Sequence, residues 1–202
     1  MSEIGLKFNY NWIKEKPLDW EYLSELDKWR TKLYEYGLIG VYENGIGYGN
    51  ISVRFGHNNF IITGTATGHI RELKPEHYTK VTEYDLSKNT LTTEGPIKAS
   101  SESLTHAVIY EYDKNINAVI HVHHLGLWNK LLDKFPTTNK TVEYGTTAMA
   151  NEIIRLFNQT NLLEQKILVM AGHEEGIVCF GKNTEDAGER LLNAFNIYLE
   201  KI

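Results

Sequence analysis

The stretch Asn117-Ala-Val-Ile-His-Val-His-His124 joins a short apolar run to three histidines at its carboxyl end. Its β-branched and apolar residues predict a strand over residues 118–123. Because side chains alternate between the two faces of a strand, His121 and His123 should point to one side and His124 to the other. The strand therefore presents two imidazoles side by side where a core strand would ordinarily continue with apolar residues.

Paired histidines on one strand face are typical of a metal site, and a simpler interpretation stands beside it. Neutral imidazole suits Zn²⁺, and the His-x-His pattern places two ligands next to each other. A catalytic zinc typically uses three protein ligands and keeps one position open. In the simpler interpretation both rings form hydrogen bonds with backbone or water and bind no metal.

His173 is the best candidate for a third ligand. It lies in the glycine-flanked turn Gly172-His-Glu-Glu-Gly176 between two apolar segments, although an exposed turn histidine would fit the same sequence. Glu102, in the first turn of a predicted helix, could be a fourth ligand or a base, or simply a favourable charge at the helix dipole. The other histidines are weaker candidates because of their polar surroundings, helical position or opposite face: His57, His69, His77, His106 and His124.

Periodicity elsewhere predicts helices interspersed with hairpins. Apolar residues at helical spacing indicate helices over 17–38, 100–112, 125–132, 146–158 and from residue 184 onward. Short β-type segments joined by turns indicate strands over 49–55, 59–63, within 78–98, and at 167–171 and 177–180. Because strict βαβ alternation is absent, these elements predict an α/β protein in which helices cover a mixed or mainly antiparallel sheet.

Size and composition favour one domain over residues 1–202. A hydrophobic fraction of 42% supplies one core but hardly two. The net charge of −5 and the lack of a basic block argue against a nucleic-acid partner. No apolar run approaches the roughly 18–20 residues that span a bilayer, and the first residues lack a secretory layout. The single Cys179 excludes an internal disulfide. We therefore expect a cytoplasmic protein with no membrane partner.

Five separate motifs give the chain a resemblance to a known family. They are Gly49-Asn-Ile-Ser-Val-Arg54, Ile61-Ile-Thr63 with Thr67-Gly68, Lys98-Ala-Ser-Ser-Glu102 with His106, Ala118-Val-Ile-His-Val-His123, and Gly172-His173 through Gly181. In this order they resemble the class II aldolases of the aldolase/adducin family. That group includes fuculose-phosphate aldolase, ribulose-phosphate 4-epimerase and methylthioribulose-phosphate dehydratase. Each motif alone is weak, whereas five in register are strong.

The resemblance implies a fold, an assembly and a metal centre. The fold would have three layers, with a mainly antiparallel central sheet covered by helices on both faces. Family members tend to form ring-shaped homotetramers with the site at a subunit junction. His121, His123 and His173 would hold Zn²⁺ or another divalent ion, and Glu102 would move the proton. The residues that would bind a substrate phosphate are Gly49, Asn50, Thr67, Gly68, Ser100 and Ser101.

Local chemistry agrees with a phosphate site, although each residue also has an ordinary role. Ser100 and Ser101 precede a helix whose free N–H groups attract an anion, and glycines let the backbone approach it closely. The ordinary role of Ser100 is a helix cap, and that of Asn50 is a turn residue.

The implied reaction is cleavage of a carbon–carbon bond in a small sugar phosphate or related hydroxy-carbonyl compound. The metal would act as a Lewis acid that stabilises an enediolate. Epimerisation or dehydration would use the same scaffold with a different second acid or base. An alternative from another class is a non-catalytic, adducin-like assembly or binding module. Such a module would have no need of the three histidines together with Glu102.

Three features depart from the family pattern, all around the expected substrate. The segment between His123 and Tyr144 is short and contains no tyrosine that matches the proton donor of the fuculose-type enzyme, so Tyr144 or Tyr198 remain for that role. The turn at His173 has Gly-His-Glu-Glu-Gly in place of the usual Asn-His-Gly. The loop over residues 63–68 has one extra residue, so Thr65 competes with Thr67. These differences bear on the reaction and on the need for a phosphate, and leave the metal ligands in place.

Overall fold

The computed structural model describes residues 9–199; residues 1–8 and 200–202, at the two ends of the predicted domain, lie outside the described part. The strands are β1 (Asn9–Lys14), β2 (Gly40–Val41), β3 (Gly47–Tyr48), β4 (Asn50–Phe55), β5 (Asn59–Thr63), β6 (Tyr78–Asp85), β7 (Thr90–Gly95), β8 (Ala118–His123), β9 (Ile167–Val169) and β10 (Gly176–Gly181). The α-helices are α1 (Ser24–Glu35), α2 (Ser103–Tyr112), α3 (Leu125–Leu131), α4 (Thr147–Gln159), α5 (Leu162–Gln165) and α6 (Thr184–Leu199).

One eight-stranded sheet organises the described chain, in the order β1-β7-β6-β5-β4-β8-β10-β9. All neighbouring pairs are antiparallel except β1 with β7. The hairpins β4–β5, β6–β7 and β9–β10 pair strands that short turns connect, as the turn residues predict. Strand β8 lies between β4 and β10, so the histidine strand is in the interior of the sheet. Strands β2 and β3 form a separate two-stranded ribbon.

Helices cover both faces of this sheet. Buried residues of α2 and α4 pack on one face, whereas those of α1, α3 and α6 pack on the other. Burial of one large aliphatic side chain stabilises the fold by about 1.5–3 kcal/mol. Each face of the sheet buries many such side chains beneath its helices, and this burial holds the three layers together. The predicted fold class, three-layer α/β with a mainly antiparallel sheet, is confirmed.

Strand β8 carries the predicted alternation. Val119 packs in the core beneath α2 and α4, whereas Ile120 and Val122 pack in the opposite core. His121 and His123 share the face of Val119 because the side chains alternate. On the other face, His124 Nδ1 accepts a hydrogen bond from the Leu127 amide at 3.1 Å and thereby caps α3.

Some boundaries differ from the sequence expectation. The helix predicted over residues 17–38 narrows to α1, and Trp20 lies before it in a short 3-10 turn, where it is 43% exposed. Strand β1 and the β2–β3 ribbon were not predicted. β1 pairs in parallel with β7, about 80 residues further along the chain, and such distant pairing leaves no local signal. Within residues 9–199, every helix is too short or too polar to cross a bilayer.

Candidate metal centre

Three histidines from two separate parts of the chain converge at the end of β8. Strand β10 pairs with β8 so that Gly176 lies opposite His123, and the β9–β10 turn carries His173 over this edge. One ring nitrogen of each histidine lies within 4.8 Å of the corresponding atoms of the other two, His121 included. The Nε2 atoms of His123 and His173 are 3.0 Å apart.

The glycines of the turn permit this close approach. A Cβ at Gly176 would lie 2.8 Å from Cδ2 of His173, and a Cβ at Gly172 would lie 2.1 Å from the Val142 carbonyl oxygen. Real Cβ atoms do not approach other atoms so closely, so both positions require glycine for packing. Gly176 thus leaves room for the His173 ring, and Gly172 lets the turn pass close to the Val142 carbonyl.

Burial keeps the two strand histidines neutral. His121 is 1% exposed and His123 is 7% exposed. Burial, reinforced by the neighbouring histidines, lowers the pKa of His121 well below its usual value. Burial, with a contribution from His173, lowers the pKa of His123 to about 3. Both imidazoles are consequently unprotonated at neutral pH, which is the form that ligates a metal.

The donor set fits a divalent cation such as Zn²⁺. Nε2 of His121 is buried and has no hydrogen-bond partner among residues 9–199. It lies 3.3 Å from the position of a Cβ on Gly176, directly beside the His173 turn. A buried polar atom left without a partner costs about 1–3 kcal/mol, and a cation between the rings would remove that cost. Imidazole nitrogens are preferred zinc ligands.

Asn50 supports His121 from the adjacent strand. The register of β4 and β8 makes the two residues direct cross-strand neighbours, and the Asn50 amide lies 3.3 Å from Nδ1 of His121. A histidine that ligates through Nε2 carries its hydrogen on Nδ1 and needs an acceptor there. The side-chain oxygen of Asn50 lacks a partner within the described residues. It becomes that acceptor if the side-chain amide is flipped, which exchanges its oxygen and nitrogen.

Glu102 lies beside the histidine cluster at the start of α2. It is 3% exposed, and Oε1 is 4.0 Å from Nε2 of His173. Oε2 accepts a hydrogen bond from the Thr105 hydroxyl at 3.0 Å, which fixes the plane of the carboxylate. One turn further along α2, His106 is fully buried and its Nδ1 contacts the Ser52 hydroxyl at 2.7 Å. Burial lowers the pKa of His106 to about 3.

The residues expected at a phosphate lie on two neighbouring segments. A bridge between Gly64 and Ala99 ties the loop that carries Thr67 to the segment that carries Ser100. The Thr67 hydroxyl is buried and donates to the Gly64 carbonyl at 2.9 Å. Ser100 Oγ accepts a hydrogen bond from the Glu102 amide at 3.3 Å, but the N-cap residue of α2 is Glu102 and not Ser100. Ser101 is half-buried, and Thr65, the competing threonine, is exposed.

The two candidate glycines pack against the chain near β2. Gly49 has φ +75°, and a Cβ there would meet the Ile39 side chain at 2.8 Å. A Cβ on Gly68 would lie 2.1 Å from the carbonyl oxygen of Gly40. Arg30 of α1, 1% exposed, braces the same loop by donating to the Thr67 carbonyl at 3.0 Å.

Two tyrosines lie beside the histidines: Tyr42, which the sequence did not predict, and Tyr144, which was one of two alternatives. Tyr42, between β2 and β3, contacts His123 Nδ1 through its hydroxyl at 2.8 Å and donates to Glu175. Burial and the Glu175 carboxylate raise the pKa of Tyr42, so the hydroxyl keeps its hydrogen. The unusual Glu-Glu pair marks this turn in the sequence, but no local pattern predicts the contact itself. Tyr144 lies with its ring centre 4.1 Å from that of His173.

The remaining candidates lie elsewhere. Tyr198 packs on Phe135, and His57 contacts Asn58 in a surface turn. His77 Nδ1 accepts from the amide of Lys74, and His69 is exposed. A groove of about 740 Å³ contains no histidine; its lining includes Arg54, Glu83 and Lys114.

An antiparallel sheet between helical layers, with three histidines gathered at the end of an interior strand, defines an α/β protein with a candidate metal site. The sequence model of the class II aldolase and adducin N-terminal domain matches residues 31–196, so the chain belongs to this family. The predicted family is thereby confirmed.

Individual relatives agree with the family assignment. The chain is 28% identical to the L-fuculose phosphate aldolase of Methanocaldococcus jannaschii over 154 residues, which cover 69% of this chain and 75% of the relative. A solved L-fuculose 1-phosphate aldolase has a TM-score of 0.65 and 22% identity, covering 90% of this chain and 86% of its own. A sugar-phosphate aldolase from Thermotoga maritima has a TM-score of 0.64 and 20% identity, covering 89% and 94%. The two solved structures bear on the fold alone.

Proposed function

We propose that the chain is a divalent-metal-dependent lyase of the aldolase type. Its substrate would be a small sugar phosphate or a related hydroxy-carbonyl compound, cleaved at a carbon–carbon bond. The observation that carries this proposal is the convergence of three histidine nitrogens within 4.8 Å beside the buried Glu102. Zn²⁺ is the preferred ion because all three ligands are imidazoles.

Each residue of the centre has one role. His121, His123 and His173 hold the ion. A divalent ion bound there supplies a Lewis acid for the substrate's carbonyl and hydroxyl oxygens. Glu102 is the general acid/base: its Oε2 is fixed by Thr105, and its Oε1 remains on the histidine side to take and return a proton.

The substrate phosphate would lie near the start of α2. Helix N-termini attract anions through their free N–H groups, and Ser100 and Ser101 stand at this terminus. The proposed phosphate-binding set is Gly49, Asn50, Thr67, Gly68, Ser100 and Ser101. The Gly64–Ala99 bridge supports it by holding the two segments together.

Tyr144 is the better of the two tyrosines considered for the second proton donor. Its ring contacts His173, and a phenol hydroxyl is both a donor and an acceptor. Tyr198 packs against Phe135 in the core on the opposite face of the sheet from His121 and His123.

Location, assembly and extent also belong to the proposal. We place the protein in the cytoplasm as a homotetramer with a phosphorylated small-molecule substrate and no nucleic-acid or membrane partner. The aldolase of Methanocaldococcus jannaschii, named for a phosphorylated sugar, supports this substrate class. The continuous eight-stranded sheet supports a single domain over residues 1–202.

The test is a screen of phosphorylated and free ketoses and aldehydes with the Zn²⁺-loaded protein. We expect cleavage of a ketose phosphate into two carbonyl products, and no turnover by the chelator-treated protein. Epimerised or dehydrated products without cleavage would replace the lyase with another reaction of the family. Full metal loading without turnover of any compound would favour an adducin-like binding module.

A further inference from the structure

A short series of hydrogen bonds holds His123 from outside the histidine cluster. Its Nδ1 lies 2.8 Å from the hydroxyl oxygen of Tyr42. The same hydroxyl donates to Oε2 of Glu175, and Nδ1 of His123 is 4.0 Å from that carboxylate oxygen. The Tyr42 hydroxyl therefore stands between the imidazole and the carboxylate.

Counting hydrogens fixes the direction of both bonds. A tyrosine hydroxyl has one hydrogen, and an ionised carboxylate can only accept. The hydroxyl hydrogen consequently goes to Glu175, and the hydroxyl oxygen accepts the hydrogen on Nδ1 of His123. This arrangement leaves the lone pair of His123 on Nε2, the atom that lies 3.0 Å from Nε2 of His173.

Both supporting residues are fixed by their own turns. Glu175 has φ +69°, in the left-handed region that favours glycine, and its carbonyl accepts a hydrogen bond from the His124 amide at 3.1 Å. The Tyr42 amide donates to the Ile46 carbonyl at 2.9 Å, and its ring lies 4.5 Å from the ring of Tyr48. The hydrogen-bond series thus connects the β2–β3 turn to the β9–β10 turn.

We infer, on the basis of the proposed metal centre, that Tyr42 and Glu175 are positioning residues for His123. They fix its tautomer and its ring orientation, so that Nε2 is ready to bind a divalent ion. Partners of this kind, which orient a ligand without touching the metal, typically account for about 10–100-fold in metal affinity. Metal affinity can be measured without any substrate, so this role is separable from the proposed lyase reaction.

The test is the Zn²⁺ affinity of the metal-free chain over residues 1–202, measured by competition with a chromogenic chelator. Tyr42→Phe removes the hydroxyl and keeps the ring. Tyr48→Phe is the matched control, because that hydroxyl contacts the Gly37 carbonyl at 3.3 Å and belongs to the same aromatic pair. We expect Tyr42→Phe to weaken Zn²⁺ binding by about tenfold or more and Tyr48→Phe to leave it near the wild-type value. Equal affinities of the two variants would overturn the inference.

Glu175→Ala tests the far end of the series, with the exposed neighbour Glu174→Ala as its control. We expect the first to weaken Zn²⁺ binding and the second to have little effect. Because Tyr42 and Glu175 act in series, the Zn²⁺ affinity of the double variant should equal that of whichever single variant has the lower affinity. Independent, additive losses would contradict a series.

Two further readouts separate positioning from a purely structural role. Thermal unfolding of the metal-free proteins should be similar for Tyr42→Phe and Tyr48→Phe. The visible absorption of the Co²⁺-loaded protein, which reports ligand geometry, should change only in Tyr42→Phe. If the wild-type chain binds no divalent ion, the proposed centre and this inference fail together. If it binds Zn²⁺ tightly without turnover, the proposed lyase fails and the affinity comparison still decides the role of Tyr42.

Discussion

The Nε2 atoms of His123 and His173 lie 3.0 Å apart, although 50 residues separate the two histidines in the chain. One ring ends a buried strand of the sheet interior, and the other comes from the turn between the last two strands. Ring nitrogens at this separation, with the buried Nε2 of His121 nearby, form a candidate site that a cation would complete.

Removal of the turn ligand should abolish tight metal binding while keeping the fold. His173 is the most exposed of the three histidines, with 16% of its side chain accessible, so His173→Ala should cause little loss of packing. We expect the Zn²⁺ affinity of this variant to fall by more than about 100-fold. Loss of a residue that only hydrogen-bonds to a metal ligand typically costs about 10–100-fold, so a larger loss indicates a direct ligand. Equilibrium dialysis with elemental analysis would measure it. His57→Ala, at an exposed surface turn, is the control; equal affinities would contradict the assignment of His173.

Glu102→Gln should separate proton transfer from metal binding. The substitution preserves size and the Thr105 contact but removes the base, so turnover should fall by about 10²–10⁴-fold. Steady-state assays on the compound found by the substrate screen would measure this. Glu111→Gln, exposed at the other end of the same helix, should retain activity. Equal turnover of the Glu102 variant and the wild type would remove Glu102 from its proposed role.

Stability of the metal-free protein should decline in acid, partly through His106. Its folded pKa is lowered to about 3 from 6.5, with burial as the cause. Between these values the unfolded chain binds a proton that the folded chain excludes. The free energy of unfolding should therefore decrease as the pH falls below 6.5, by up to about 1.4 kcal/mol per pH unit for this one residue.

Urea unfolding in chelator at several pH values would measure this slope. His106→Asn keeps a polar group near Ser52 and removes the titrating ring. The slope of its unfolding free energy against pH should therefore be shallower than that of the wild type, by an amount that corresponds to nearly one bound proton. An unchanged slope would exclude His106 as a source of the acid sensitivity.

Gly68→Ala should be destabilising because its side-chain position is already filled. The new Cβ would lie 2.1 Å from the Gly40 carbonyl oxygen, so the loop or the β2–β3 ribbon must move. We expect a loss of about 1–3 kcal/mol in the free energy of unfolding, measured with urea. Gly47→Ala is the matched control, since its Cβ would meet the nearest atom at an ordinary 3.5 Å. Equal stability of the two variants would refute this packing argument.

Much of the fold follows from local patterns in the sequence. The alternation in Ala118–His123 predicts the strand and its two faces, and the turn residues predict the β4–β5 and β6–β7 hairpins. These features depend on neighbours within a few residues, so periodicity and turn chemistry suffice. The same local chemistry, with the family resemblance, selected His121, His123, His173 and Glu102 as candidates.

Only the tertiary structure decided what surrounds those candidates. The register of β4 on β8 sets Asn50 beside His121, and the β2–β3 ribbon brings Tyr42 to His123 and Glu175. The tertiary structure also places Tyr144, and not Tyr198, against His173. Asn50 and His121 are 71 positions apart in the chain, and Tyr42 and Glu175 are 133 positions apart. Such contacts depend on strand order and packing over the whole sheet, and no local pattern in the chain encodes them.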